Sequence, residues 1–191
     1  MFNTILWSKY SYNYSIHKYY AHQLLGYDYF SAMSGLILHS RDQLENIINR
    51  KSITYREADM LYTGFDTLNV GFNTYYVNYT WVYGNEQFKE IYNQPDFYWS
   101  NFAQMMTPIV NFFGELKATA EGKEELALGS EEIEKLKIVL QTADKLIEVF
   151  NKYYVDLEEP LEVVIDSHYL QLKELVEYFG RRDNNLYKLE K

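Results

Sequence analysis

Residues 54–92 read TYREADMLYTGFDTLNVGFNTYYVNYTWVYGNEQFKEIY. Leu61, Phe65, Leu68, Phe72, Tyr75, Tyr79 and Val82 follow one another at steps of 4, 3, 4, 3, 4 and 3. That alternation gathers the seven side chains on one stripe of an α-helix, whereas a strand would need a step of two. Thr54 and Glu57 fit the capping box that starts such a helix, with hydroxyl and carboxylate each satisfying a free backbone N–H. Gly84-Asn85 is the place where the helix ends or bends before Tyr92. Gly64 and Gly71, seven apart, share a face. Each costs about 1 kcal/mol against alanine, an expense that close approach of a neighbouring helix offsets.

From Thr67 to Asn85 this helix carries no charge, and Asn69, Asn73, Thr74, Asn78 and Thr80 lie among its aromatics. Surface helices carry charges on their outer face. The expectation is therefore a helix covered on most sides, by its own chain or by another subunit.

Working outward, Phe2 to about Ser40 reads as a helix with apolar or aromatic residues round nearly its whole circumference. Gly35 is a candidate interruption, so that 41–50 is a bent continuation or a second short helix. After a turn at Asn93–Asp96, where Asp96 is placed as an N-cap, a helix with Phe102, Met105, Ile109, Phe112 and Leu116 follows. Pro108 either kinks it or, with Thr107 as cap, begins a new one. Glu121–Gly129 is a polar loop. Ser130 is the expected cap of a helix with the stripe Ile133, Leu136, Leu140, Ala143, Ile147, Phe150 and Tyr154. The last helix runs from about Leu161 to Phe179, with Gly180 past its end and a tail from Asp183 to Lys191. The fold class is all-α: one elongated bundle of four to five long helices with heptad-like, coiled-coil packing, in a single domain over 1–191.

Composition divides this domain. The 191 residues carry a net charge of −9, of which 1–113 contributes −2 and 114–191 contributes −7. Of the aromatic side chains, 27 lie in 1–113 and 7 in 114–191. The chain has 20 tyrosines, and Asn, Lys, Ile, Tyr and Phe, all with AT-rich codons, make up 70 residues, which hints at a viral or mobile-element gene. With no cysteine there is no disulfide framework or thiolate metal site, and a reducing cytoplasm, or a virion if the gene is viral, is the expected location. Met1–Ile16 lacks the pattern of a secretory signal. The uncharged stretches Thr67–Asn85 and Phe97–Gly114 hold too many Asn, Gln, Ser and Thr for a transmembrane span. No basic patch is visible, which argues against nucleic acid as a partner.

Chemistry-bearing constellations are few. Tyr14, Tyr19, Leu36 and Ile165 stand three before the four histidines, so the Glu-x-x-His pattern of di-iron bundles is absent and no metal site or cofactor is expected. Glu162 and Asp166 read as a solvated acidic face beside His168, a satisfied histidine in the stripe Leu161, Val164, His168, Leu172, Leu175. The Asn/Tyr cluster admits two readings. Asn69, Tyr76 and Tyr83, seven apart, with Asn73 and with Tyr14 and His17 of the first helix, either set helix register and interfaces or line a polar, aromatic ligand pocket. The first reading makes the chain a non-enzymatic structural or interaction protein. It assembles with itself or with another protein through its aromatic, charge-poor N-terminal part, with Tyr10, Tyr14, Tyr27, Trp81 and Trp99 as interface candidates. The second makes it a small-ligand-binding protein or enzyme with His17, Tyr14, Asn69, Asn73 and Tyr76 in an interior pocket.

Overall fold

A computed structural model describes residues 27–84, 86–89, 93, 105–154, 159, 161–181 and 184–189. The expected helix before Tyr27, the Asp96 cap and Phe102 lie outside the described residues. Within them the fold is all-α. Five helices occur in the order α1 (Tyr27–Arg50), α2 (Tyr55–Tyr83), α3 (Thr107–Ala120), α4 (Ser130–Lys152) and α5 (Leu161–Gly180). Single turns of 3-10 helix follow α2 at Glu86–Phe88 and α5 at Asn185–Lys188.

The heptad stripe of α2 is its core face. Leu61, Phe65, Leu68, Phe72, Tyr75 and Tyr79 are all buried. The helix starts with the expected capping box: Thr54 Oγ1 accepts from the Glu57 N–H at 3.2 Å, and the Glu57 carboxylate accepts from the Thr54 N–H at 2.9 Å. Partial burial opposes ionisation of Glu57, but hydrogen bonds from Thr54 and Arg50 prevail and lower its pKa. Removing the cap with Thr54→Ala is expected to cost about 1 kcal/mol, read as a shift in the urea midpoint at constant slope. The helix ends at Gly84, whose φ of +80° suits glycine, short of the Tyr92 limit.

One main helix pair joins sequence neighbours and the other does not. α2 packs along α3, where Phe65 stacks on Phe113 at 5.7 Å and Lys117 bonds Asp59 at 2.7 Å. α1 packs along α4, tied by Arg41 to Asp144 at 2.8 Å. Gly64 of α2 backs onto α1, where an added Cβ would meet Ser40 Oγ at 3.3 Å. Two-residue strands, β1 (Ser52–Ile53) and β2 (Leu126–Ala127), pair antiparallel and join the α1–α2 corner to the α3–α4 corner. Lys51 enters this corner in the left-handed region at φ 59°, and its carbonyl accepts from the Leu128 N–H at 3.0 Å. The tail docks: Leu186 and Leu189 are buried, and Asn184 donates to the Tyr178 carbonyl at 2.7 Å.

Several expectations change. α1 runs unbroken through Gly35, whose position is exposed, so no neighbour exploits its missing side chain. Ser130 is the first residue of α4 rather than its cap. Gly129 takes that position in an extended conformation, with the Glu132 carboxylate folded over it. Thr107 likewise begins α3 behind Met106, placing Pro108 in the first turn, where its missing N–H costs nothing. The buried stripe of α4 is Leu136, Val139, Ala143, Leu146 and Phe150. Ile133, Leu140 and Ile147 flank it half-buried, and Tyr154 is exposed. The stripe is turned because α4 is packed on two sides, by α1 and by α5.

Candidate functional site

Among the described residues the uncharged part of α2 is covered on most sides, as expected, but one face is open. Opposite its core stripe runs a second one, Met60, Thr63, Thr67, Val70, Thr74 and Val77, at steps of 3, 4, 3, 4 and 3. All six are exposed, Val70 by 60%, Val77 by 51% and Met60 by 40%. Thr67 donates its hydroxyl hydrogen to the Thr63 carbonyl and Thr74 donates to that of Val70, both at 2.8 Å. These bonds occupy the hydroxyl hydrogens of Thr67 and Thr74, whose oxygens remain as acceptors beside the exposed methyl groups. Of the acidic groups near its N-terminal end, Asp59 is already paired with Lys117, and Asp66 is the last charge before the stretch without any. Asn69 and Asn73 stand further round the helix, toward α3.

Of the residues the sequence nominates, Asn69, Asn73 and Tyr76 stand together on one half-buried face of α2. Tyr10, Tyr14, His17 and Trp99 lie outside the described residues. Tyr27 and Trp81 fall in α1 and α2, but their side chains are outside the described set. Asn69 is half-buried, and its side-chain oxygen accepts from the Met106 N–H at 3.1 Å, satisfying a backbone donor at the start of α3. Tyr76, seven residues on, packs against Phe88, and burial pushes its phenol up to about 12. Asn73 is half-buried on α2.

Two polar clusters escaped the sequence reading. At the α2–α5 contact the Tyr75 hydroxyl meets His168 Nδ1 at 2.5 Å. With the phenol donating, the ring proton sits on Nε2 and the imidazole is neutral. Burial pushes the His168 pKa down to about 4. Between α4 and α5 the Glu174 carboxylate accepts from Lys145 at 2.8 Å, Lys152 at 2.6 Å and the Tyr153 hydroxyl at 2.8 Å. Partial burial opposes ionisation, yet these donors hold Glu174 down at about 2. Two open clefts of about 340 and 200 Å³ flank Tyr178 and Arg181, away from α2. Among the described residues no three His, Asp or Glu side chains converge to hold a metal, and no helix is long and apolar enough to cross a membrane.

Charge-pair and packing networks of this kind characterise an α-helical bundle whose most unusual surface is one bare helix face. No family model matches the chain, and neither a curated protein nor a solved structure does.

Proposed function

We propose that the chain is a non-enzymatic interaction protein, a helical bundle that docks with itself or with a partner protein through its charge-poor part, centred on the outer face of α2. The supporting observation is the exposure of Val70 and Val77 in a run without a single charged residue. An exposed helix face ordinarily carries Lys, Glu or Arg, which hydrate well and keep other chains away. Interface centres are depleted in Lys and Glu. The net charge of −9 and the bare stripe together speak for a protein partner rather than nucleic acid.

A photoreactive amino acid placed at position 70 tests this in the native cell. Irradiation is expected to give a covalent protein adduct from position 70, and none from the exposed position 148 on α4. Absence of any adduct from position 70, or equal labelling from 148, overturns the proposal.

A further inference from the structure

We infer that the cleft between α4, the end of α5 and the C-terminal turn binds a small organic carboxylate with a neutral, hydrogen-bonding tail, through the Arg181 guanidinium and the side-chain amides of Gln141 and Asn185. This cleft is separate from the α2 face, and the inference does not rest on the docking role proposed above.

The docked tail builds the cleft. Asn184 donates to the Tyr178 carbonyl at 2.7 Å and accepts from the Leu186 N–H at 3.0 Å, and Leu186 and Leu189 are buried. These contacts hold the turn in place and leave a cavity of about 200 Å³ between it and α4. The α4 wall is fixed too. Thr142 is 1% exposed and donates its hydroxyl hydrogen to the Ile138 carbonyl at 3.0 Å, so its oxygen is left as an acceptor. The Tyr178 hydroxyl stands 3.5 Å from that oxygen, longer than a normal O–H···O bond.

Arg181 sets the charge of the ligand. Among the described residues it has no ion-pair partner, and no carboxylate side chain lines this cleft. Glu177, one turn earlier, lines the larger neighbouring cleft, where Lys145 and Glu174 pair at 2.8 Å. A planar guanidinium matches a carboxylate with two parallel hydrogen bonds. Gln141 and Asn185 are exposed, and each amide offers donors and an acceptor to a neutral tail. The other small anions fit less well. The ammonium of a free amino acid would meet Arg181 and find no carboxylate. A phosphate dianion would have one cation to hold it and a chain at −9 to repel it. The cavity is smaller than the roughly 300 Å³ at which pockets for drug-sized molecules begin. It is also open to solvent, so the dissociation constant is on the order of 1 mM.

The test is a heteronuclear NMR titration of the full chain with N-acetylglycine, which carries a carboxylate and an amide. Its neutral amide, N-acetylglycinamide, and inorganic phosphate are titrated alongside. N-acetylglycine is expected to shift the Arg181 Nε–H and the side-chain amides of Gln141 and Asn185, with saturation. The two other probes should bind at least about tenfold more weakly, each lacking part of the match. Arg181→Gln should lose about tenfold or more in affinity with unchanged circular dichroism, since the side chain is exposed and makes no ion pair. Arg181→Lys, which keeps the charge but not the fork, should fall between. The pair Gln141→Ala with Asn185→Ala, at two exposed positions, should weaken binding while leaving Arg181 in place. No saturable shift at these groups up to about 20 mM, well above the expected constant, overturns the site. Equal binding of N-acetylglycinamide, tighter binding of phosphate, or an Arg181→Gln variant that binds as wild type overturns the carboxylate.

Discussion

Phe72→Ala is expected to remove about 4 kcal/mol of stability, and Val70→Ala, two residues away, almost none. Phe72 is fully buried on the core stripe of α2, with its ring 5.7 Å from that of Phe150 on α4. Truncation loses the transfer free energy of the ring and leaves a cavity between two helices that several other contacts hold apart. Phe65 against Phe113 keeps α2 on α3, and Arg41 with Asp144 keeps α4 on α1, so the walls have little freedom to collapse. For a chain of this size the thermal midpoint should drop by about 10 °C. Val70 faces water, and its truncation opens no cavity. A drop of under 2 kcal/mol for Phe72→Ala would mean that the α2–α4 contact is loosely packed.

Acid should weaken the fold through His168 before it reaches the carboxylates. In the unfolded chain this imidazole takes a proton near pH 6.5, whereas in the fold it resists until about pH 4. The unfolded state therefore binds the extra proton first. Stability from this group is complete above about pH 6.5 and is lost as the pH falls toward 4, by about 3 kcal/mol in all. The chemical reason is local. Protonated Nδ1 can no longer accept from the Tyr75 hydroxyl, and the new charge lies in an aromatic surrounding with little water. Glu174, held at about 2, contributes in a lower window, its share fading only below the ordinary carboxylate range near pH 4.5. Urea midpoints of wild type and His168→Phe at a series of pH values separate the two. Their difference should change between pH 6.5 and 4.5, and an unchanged difference would show that His168 titrates alike in both states.

The core of this fold was legible where side-chain size and period agree. Leu61, Phe65, Leu68, Phe72, Tyr75 and Tyr79 are large, apolar and heptad-spaced, and they are the buried face of α2. The second stripe obeys the same period but is built of Thr and Val, and periodicity alone says that a face can pack without saying against what. Counting the exposed positions of α2 at heptad spacing would have found it. On α4 the expected stripe was right at Leu136, Ala143 and Phe150, but Val139 and Leu146 are buried in place of Ile133, Leu140 and Ile147 because α1 and α5 pack from two sides, which no local pattern encodes. The 3-10 turn at Glu86–Phe88 and the two-residue ladder were too short to leave a pattern. Of the polar groups, the stripe position of His168 was readable. Its partner Tyr75, 93 residues earlier, was not, because it is set by how α2 meets α5.

The pairing of α1 with α4 governs how the chain reaches this fold. Arg41 and Asp144 are 103 residues apart, and the ladder of Ser52 with Ala127 closes a second, shorter loop inside that span. Helix bundles in which each helix meets the next have low contact order and fold in microseconds to milliseconds. Here the first described helix waits for the fourth, and the entropy of closing the intervening chain is lost before their contacts repay it. During synthesis α2 can meet α3 early, but the side of α1 that packs on α4 stays open until residues near Phe150 emerge. A refolding rate well below that of an up-and-down bundle of equal size, and transient reliance on chaperones, follow from this non-local closure.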